Sequence, residues 1–542
     1  EDSQEYMYKD GMLSNDIYSF DNASGNVIAG EARSHWSTMG FYARLNWNYN
    51  NIYFLEFSGR YDGSSRFAAG HRWGFFPSFS AGYDIARTPY FQTMALPVSQ
   101  LKVRVSYGRL GNQNGAGLYD YIAQMPLDAQ GTNAWLLPGI SSSTASKGTI
   151  AQTPKMISPY ITWEKVDNAN LGFDLMLFKN RLSITADLYQ RTTRDMIGPA
   201  ESIPSISGIA SEDRAKVNNA TLRNRGWELS VSWNDKLKCG FSYGVGFNVF
   251  NYKAVVTKYN NPEGIIYNNH TGLAANKGYY EGMDLGEIWG YRADDLFLSN
   301  REIDDYLRKV DLTAFKSNDL WRRGDLKYID TNGDGRVDGG KGTLSDHGDL
   351  QVIGNTTPKY SFGINLNLGY KGFEVSTLLQ GVAKRDFPIA GSNYMFGGNN
   401  YNFKEHLDYF STENPNGYLP RLTGWKDDKD FLVNTGYNTT RYLLNAAYMR
   451  MKNLTVAYTF NKKQLKHIGI SNLKVYVTCD NLFTITKLPK QFDPETLNQV
   501  NMSAGGDAKN TAPGLTSPMK QNGNGMVYPM NRNFVFGLDF TF

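Results

Sequence analysis

The stretch SFGINLNLGYKGF, residues 361–373, alternates strictly between apolar and small or polar side chains until it reaches a tight turn. Successive side chains of a β-strand point to opposite faces, so this stretch places its large apolar side chains on one face. That apolar set is Phe362, Ile364, Leu366, Leu368 and Tyr370. The same alternation predicts strands at 41–49, 182–188, 241–249, 473–480 and 534–542. The chain is therefore predicted to be an all-β protein of antiparallel strands.

The composition of the 542 residues supports this interpretation. The chain has 54 glycines, 14% aromatic residues and only 20% charged residues, which excludes a disordered chain and disfavours a helical one. The formal net charge is +4 with both signs mixed, so no nucleic-acid partner is predicted. Two cysteines, Cys239 and Cys479, are too few for a disulfide framework or a zinc cluster.

The apolar strand faces need an apolar neighbour, and the sequence has no amphipathic helical stretches long enough to cover them. Short turns join some strand pairs, namely NYNN near residue 50, FKNR near 179 and GYKG near 370. Long connections are predicted at about 109–160, 191–217, 251–285, 298–357, 382–441 and 485–525. Turns at one end and long loops at the other are typical of an outer-membrane barrel with periplasmic turns. We predict a transmembrane antiparallel β-barrel of about 14 to 16 strands.

The last strand carries an independent signal, because it ends on an aromatic residue and has one wholly apolar face. That face holds Phe534, Phe536, Leu538, Phe540 and Phe542. Such a strand resembles the signal by which outer-membrane proteins are recognised for assembly, and it predicts a periplasmic C-terminus. Trp227 and Trp233, which flank Leu229 and Val231, are predicted to lie in the aromatic girdles at the two membrane interfaces. The alternative is an ordinary edge strand of a soluble protein.

Several longer motifs, in a fixed order, make the sequence recognisable. They are GRYDGSSRFAAGHRWGFFPSFSAGYDIA (59–86), WEKVDNANLGFDLMLFKNRLSITADLYQRTTRDMI (163–197), NNATLRNRGWELSVSW (218–233), GEIWGYRADDLF (286–297), DTNGDGRVD (330–338), YMRMKNLTVAYTF (448–460) and NLFTITKLPKQFDPE (481–495). These motifs resemble the SusC/RagA family of TonB-dependent outer-membrane transporters of Bacteroidetes. The resemblance runs from about residue 12 to the end of the chain.

The resemblance implies a barrel of about 22 strands that is filled by an N-terminal plug. The plug, the TonB-engaging segment and the first barrel strands are expected to precede residue 1, so that residues 1–542 form the C-terminal portion of the barrel domain. The implied function is active import of oligosaccharides across the outer membrane with a SusD-like surface lipoprotein, energised by TonB–ExbB–ExbD through the plug segment. Import of oligopeptides is the alternative within the family. A passive porin-like barrel and a soluble carbohydrate-binding sandwich remain as alternatives from other classes.

The most specific local chemistry lies in DTNGDGRVD. Asp330, Asn332, Asp334 and Asp338 place oxygens at alternate positions, Gly335 allows the sharp turn, and Arg336 offers a backbone carbonyl. This is the spacing of a calcium loop, so the sequence predicts a structural calcium ion here and requires no other cofactor. The twelfth position is Lys341, so Asp346 or Asp349 would have to supply the last acidic ligand. The alternative is a metal-free turn in which these side chains accept backbone N–H groups.

The long loops offer candidate substrate contacts. Tyr394, Phe396, Asn400 and Tyr401 combine aromatic faces with amides, a pattern that can stack on sugars and bond their hydroxyls. The favoured alternative is that they pack the loops together or against a partner.

Two charged groups of the strand motifs are interpreted as lumenal salt-bridge networks that stiffen the wall. They are Arg60 with Asp62 and Arg66, and Arg223 with Arg225 and Glu228. No HExxH or P-loop motif occurs, and no catalysis is predicted. The energy for transport must therefore come from elsewhere, and the resemblance implies that TonB supplies it through the plug.

Overall fold

The computed structural model is dominated by one large antiparallel sheet. It describes residues 2–9, 24, 26–94, 96–123, 125, 127–128, 136–137, 146–147, 150–151, 156–198, 214–266, 279–293, 295–389, 395, 404–423, 429–460, 465, 470–497 and 530–541. None of the helices within these ranges has the length and apolar character needed to cross a membrane.

The large sheet contains fourteen strands that follow one another almost entirely in chain order. They are β1 (Thr38–Tyr49), β2 (Tyr53–Ser64), β3 (Trp73–Asp84), β4 (Val98–Asn112), β5 (Glu164–Leu177), β6 (Leu182–Gly198), β7 (Val217–Lys236), β8 (Ser242–Lys258), β9 (Lys359–Tyr370), β10 (Phe373–Lys384), β11 (Tyr448–Thr459), β12 (Asn472–Asp480), β13 (Thr484–Thr486) and β14 (Asn533–Thr541). Each strand pairs with the next, except that the short β13 pairs with β11 and β14 pairs with β12. This meander confirms the predicted antiparallel all-β class.

Smaller elements lie outside the sheet. The paired strands are Asp2–Tyr8 with Ile28–Ser34, Leu127–Asp128 with Ile150–Ala151, Leu136–Leu137 with Ser146–Lys147, Glu287–Gly290 with Gln351–Asn355, Asp295–Leu296 with Leu326–Lys327, and Asp386–Pro388 with Leu443–Asn445. The helical elements are the α-helices Pro89–Gln92, Asn300–Leu307 and Lys429–Phe431, the 3₁₀ turns Ile85–Arg87, Asn318–Leu320 and Lys404–Leu407, and the π turn Leu432–Gly436.

The short turns form where the sequence predicts them, and their backbone angles explain the residues used. Asn50 and Asn51 between β1 and β2 have φ of 52° and 54°. Between β9 and β10, Lys371 and Gly372 have φ of 48° and 91°. Two consecutive residues with positive φ match the right-handed twist of the flanking strands, and asparagine and glycine adopt this conformation most readily.

The two ends of the sheet differ strongly. The short turns join β1 to β2, β5 to β6, β7 to β8 and β9 to β10 at one end, whereas the long connections all leave from the other. Thr541 pairs with Asn472, so the last described residues lie at the end with the short turns. The predicted loops begin before their strands end, most clearly where β6 continues to Gly198 and β8 continues to Lys258. The strict alternation ends there because polar residues appear on the outer face, at Gln190 in β6 and Asn251 in β8, but the strand pairing continues.

The sheet has one apolar face and one polar face. The apolar face is exposed, as Phe41, Phe536 and Leu538 with 57%, 78% and 63% exposure illustrate. Trp227 and Trp233 lie on this face, opposite Leu188 and Leu182 of β6, as the girdle prediction requires. A continuous apolar face without a protein partner in the described residues fits a wall that faces lipid. We call it the outer face, and we call the opposite, polar face the lumen face.

The main hydrophobic core lies in the long connections rather than in the sheet. Its members come mainly from residues 256–350, 387–446 and 488–497. Its fully buried large side chains include Phe297, Leu312, Leu326, Tyr328, Phe387, Ile389, Met395 and Tyr442. Helix Asn300–Leu307 begins at a cap in which the Ser299 hydroxyl accepts the N–H of Glu302. We call this folded unit the loop assembly.

Candidate functional site

The lumen face of β4 to β6 carries a compact ion-pair cluster. The guanidinium of Arg104 lies 2.7 Å from a carboxylate oxygen of Asp174 and 3.3 Å from one of Asp187. Gly172 lies between these strands, and a Cβ at this glycine would come within 2.6 Å of the Arg104 guanidinium. The glycine therefore gives the arginine room to lie across the strand and link its two acidic partners.

The charged residues near the end of β2 also have internal partners. Arg60 pairs with Asp62 at 3.1 Å, and Arg66 donates to the carbonyl oxygen of Ala116 at 3.1 Å. The guanidinium of Arg66 also stacks over the ring of Trp36. These contacts support the interpretation that this motif stiffens the wall.

The second predicted lumenal network, Arg223 with Arg225 and Glu228, does not form, and that interpretation is wrong. Arg225 pairs across the sheet with Gln190 and shares a face with Trp227, so it lies on the outer face. Glu228 lies opposite Asp187, which places it on the lumen face. Side chains of a strand alternate between faces, so residues three apart cannot meet on one side. The sequence does carry a signal that separates them: Arg223 and Arg225 lie an even number of residues from the lipid-facing Trp227 and Leu229, whereas Glu228 lies an odd number away.

A buried ion network holds the loop assembly together. Asp325 is fully buried and accepts from Lys316 at 2.7 Å, Arg421 at 2.6 Å and the side-chain amide of Asn434 at 2.9 Å. Asp430 accepts from the same two basic side chains, Lys316 at 2.6 Å and Arg421 at 2.5 Å. Burial alone would raise the pKa of Asp430, but the hydrogen bonds from Lys316 and Arg421 outweigh it and lower this pKa below its ordinary value.

A second network ties a loop segment to the sheet. The buried guanidinium of Arg450 on β11 lies 2.7 Å from Asp493 and 3.0 Å from Glu495. Lys452 also reaches Glu495, at 2.8 Å. Burial by itself would raise the pKa of Asp493, but the hydrogen bond from Arg450 and two backbone N–H groups lower it below its ordinary value. Residues 493–495 are therefore fixed to the loop end of the wall.

The predicted calcium loop, Asp330 to Asp338, forms a tight turn on the surface of the loop assembly. The carboxylate of Asp330 accepts the N–H groups of Gly333 and Gly335 at 2.6 and 2.8 Å. The remaining side-chain acceptors of the turn also receive backbone N–H groups, namely Asn332 from Asp334, Asp334 from Arg336, and Asp338 from Gly340. Arg336 pairs with Asp338 at 3.1 Å. These contacts are those of the metal-free alternative.

The two candidates for the last acidic ligand behave differently. Asp349 is buried and accepts the N–H groups of Thr331 at 2.6 Å and of Asp338 at 3.0 Å, so its carboxylate closes the turn. Asp346 instead accepts through its backbone carbonyl from Lys341 and Thr343. Within the described ranges, no group of three or more His, Cys, Asp or Glu side chains could hold a metal ion. The calcium site stays a prediction.

The predicted substrate contacts Tyr394, Phe396, Asn400 and Tyr401 lie outside the described residues. A different feature offers a surface for a ligand. A half-open cavity of about 630 Å³ lies on the lumen side, where β6, β7 and β8 reach the long connections. Three basic side chains and two tyrosines are among its lining residues, namely Arg214, Lys216, Lys258, Tyr259 and Tyr279. The tyrosine rings meet edge to face at 5.4 Å, so one ring supports the other.

The sequence did not single out this cavity. Its lining residues come from positions as far apart as Gly115 and Leu285. No local motif joins them, and only the strand register brings them together. The one usable signal is the basic and aromatic pair Lys258–Tyr259 at the end of a strand.

The strand meander, its exposed apolar face and the large loop assembly together fit the wall of a membrane β-barrel. Comparison with known families agrees, since the family described as "TonB dependent receptor-like, beta-barrel" matches residues 2–482. The chain belongs to this family. Its members are receptors of the outer membrane, and the predicted resemblance is confirmed at this level.

Individual relatives point to the same group. The chain is 24% identical to TonB-dependent receptor P3 of Formosa agariphila over 535 residues, which cover 97% of this chain and 48% of that protein. It is 24% identical to TonB-dependent receptor SusC of Bacteroides thetaiotaomicron, covering 85% of this chain and 42% of that protein. The chain thus spans about half the length of the curated relatives it matches.

Solved structures share the fold. A structure described as the RagAB peptide transporter superposes with a TM-score of 0.67 at 22% identity, over 98% of this chain and 50% of that one. The RagAB peptide importer in its open-open state gives a TM-score of 0.68 at 20% identity, over 100% and 54% of the two chains. At this identity the likeness shows the barrel fold alone.

Proposed function

We propose that this protein takes part in active import of oligosaccharides across the outer membrane. In this proposal, TonB–ExbB–ExbD supplies the energy through a plug segment, and a SusD-like lipoprotein covers the loop assembly. The C-terminus and the short turns face the periplasm, and the loop assembly faces the outside. The single observation that carries the proposal is the match to the TonB-dependent receptor family over residues 2–482.

The chemistry of the lumen-side cavity supports a sugar as the cargo. Tyr259 and Tyr279 line the cavity, and their rings offer apolar surface on which the C–H groups of a sugar ring can stack. Arg214, Lys216 and Lys258 offer N–H donors for hydroxyl or acidic groups. A ligand here would be held by a few polar contacts around an aromatic platform, as in most small-molecule sites.

Import of oligopeptides is the second candidate. A structure that shares the fold is described as a peptide transporter, and basic side chains at the cavity would equally suit peptide carboxylates. The two candidates differ in the cargo only. They share the barrel, the energy source and the lipoprotein partner.

Uptake by cells tests the proposal. Cells that produce the receptor are given fluorescent oligosaccharides or fluorescent oligopeptides, and uptake is measured with and without the membrane potential. We expect potential-dependent uptake of oligosaccharides that falls severalfold with Tyr259→Ala. Tyr90→Ala is the control, because Tyr90 is an exposed tyrosine in a short helix at the other end of the sheet.

Each other outcome supports a different function. Uptake of peptides alone selects the second candidate. Open conductance in planar bilayers, without need for energy, would mean a passive porin-like barrel. If the receptor were isolated from the outer membrane without any lipoprotein, the proposed partnership would be contradicted.

A further inference from the structure

The outer face of β4 to β8 changes abruptly from apolar to basic along the strands. Cross-strand rows follow from the register, and three successive rows run toward the loop assembly. The first row is Val105, Leu171, Leu188, Trp227 and Asn251. The second is Tyr107, Ala169, Gln190, Arg225 and Lys253. The third is Arg109, Asp167, Thr192, Arg223 and Val255.

These rows, with Arg194 on β6, create a local excess of positive charge. Asp167 is the acidic member, and its carboxylate is already held by Arg109 at 2.7 Å and Arg194 at 3.1 Å. Arg225 bonds to Gln190, a neutral side chain, at 2.6 Å. We call the five basic residues the cationic patch; they are Arg109, Arg194, Arg223, Arg225 and Lys253.

The patch stands at the edge of the lipid-facing surface. Trp227 lies one row below Arg225, and Tyr107 points its hydroxyl toward Asp167 at 3.1 Å. Tryptophan and tyrosine prefer the membrane–water interface, where one end of the ring is apolar and the other end is hydrated. Arg194, Arg225 and Lys253 are exposed, so their charged ends are accessible from the outer side of the wall. The basic side chains therefore begin where the hydrocarbon ends.

We propose that the cationic patch binds the phosphate groups of a phosphorylated glycolipid in the outer leaflet, the class to which lipid A belongs. The planar fork of arginine matches phosphate oxygens, and clustered basic side chains next to a membrane surface attract anionic headgroups. The orientation of the patch rests on the proposed function, in which the loop assembly faces outside. A protein partner is less well matched, because the patch continues the rows that face lipid.

The proposal is tested with the receptor purified in detergent from the outer membrane, together with all subunits that copurify. Binding of bisphosphorylated lipid A and of its dephosphorylated counterpart with the same acyl chains is measured by native mass spectrometry. We expect the phosphorylated lipid to bind at least about tenfold more tightly. The triple variant Arg223→Gln, Arg225→Gln, Lys253→Gln is expected to lose this preference.

A matched variant controls for charge. Lys179, Lys238 and Lys371 lie exposed in the short turns at the opposite end, and replacing all three with glutamine removes the same number of charges. This variant is expected to bind both lipids as the unchanged receptor does. Folding of each variant is checked by heat-modifiable mobility on gels.

Several results would overturn the inference. Equal affinity of the unchanged receptor for the two lipids would do so without any variant. So would an unchanged preference for the phosphorylated lipid in the variant of Arg223, Arg225 and Lys253. An equal loss of this preference in the variant of Lys179, Lys238 and Lys371 would also overturn it. The assay needs neither transport nor TonB. Failure of lipid binding therefore leaves the import proposal standing, and failure of uptake leaves the lipid site standing.

Discussion

The wall and the loop assembly of this protein are stabilised in opposite ways. All twelve residues of β1 are exposed, and in the described part of the chain no second layer of protein covers the outward apolar side chains of the wall. In the loop assembly, Phe297, Leu312 and Asp325 are 0% exposed. The wall is held by backbone hydrogen bonds between neighbouring strands and by lipid on its apolar face. The loop assembly is held by a water-excluded core, as in a soluble domain.

This difference indicates which substitutions should destabilise each part of the chain. In the wall, the face on which a side chain lies decides whether a charged substitution is tolerated. In the loop assembly, a substitution is tolerated only if every buried charge keeps a partner, because an unpaired charge in a core strongly lowers the free energy of unfolding. The following predictions test this contrast, beginning with the largest effect.

Asp325→Ala is expected to destabilise the loop assembly by about 3–5 kcal/mol, because the buried Lys316 and the partly buried Arg421 would each lose one of their two carboxylate partners. Hydrogen exchange of residues 295–350 should accelerate strongly while the exchange of β5 to β8 stays unchanged. Asp305→Ala is the control, since Asp305 pairs with Arg308 on the surface. Wild-type protection in the Asp325 variant would show that the network contributes little.

Leu229→Arg is expected to destabilise the wall in a bilayer by about 2–4 kcal/mol, because Leu229 faces lipid between two tryptophans. Ser230→Arg, one residue further and on the lumen face, is expected to change stability by less than about 1 kcal/mol. The free energy of unfolding in lipid vesicles by denaturant titration measures both. Equal effects of the two substitutions would contradict the assignment of the faces.

Acid should loosen the loop assembly before the wall. The pKa of Asp430 and that of Asp493 are lowered in the folded protein, so the unfolded chain binds protons more readily. Their stabilising contribution is present above the unfolded pKa near about 4 and is lost as the pH falls through the folded values. Tryptophan fluorescence of the loop assembly should therefore change below about pH 4, while the β-sheet signal in circular dichroism persists. Simultaneous loss of both signals would count against separate stabilisation.

The smallest effect is expected at the turn 330–338. Asp334 is exposed and accepts the N–H of Arg336, so Asp334→Ala should cost about 1 kcal/mol or less. Calorimetric titration with Ca²⁺ of the wild type and of this variant tests the predicted cation site. A binding heat in the wild type that the variant lacks would support calcium, and identical isotherms would leave only the hydrogen-bonded turn.

The wall could be predicted from local sequence. Alternation at 361–370 and the GYKG turn produce β9 and β10 as expected, and the same holds for β1, β12 and β14. The prediction erred where alternation ended before the strand did, at Gly198 and Lys258. It also erred for Arg223 and Arg225, which were predicted to lie on the lumen face. Both are an even number of residues from Trp227, so they lie on the outer face with it.

The loop assembly could not be predicted in the same way. Lys316 and Asp325 are close in sequence, but Arg421 and Asp430 reach them from about a hundred residues away. The DTNGDG turn was located correctly because its Asx contacts are local. The closing role of Asp349 depended on how the chain between the turn and this residue folds back.

The sequence by itself determined the antiparallel strands, their two faces, the tight turns and the end of the wall to which the long loops belong. Strand alternation and turn chemistry act between residues that are neighbours in the chain, so short stretches of sequence specify these features. Only the tertiary structure decided which loop residues form the buried ion network, the lumen-side cavity and the cationic patch. Those features arise from strand register and from contacts between distant segments, where no local pattern specifies the partner.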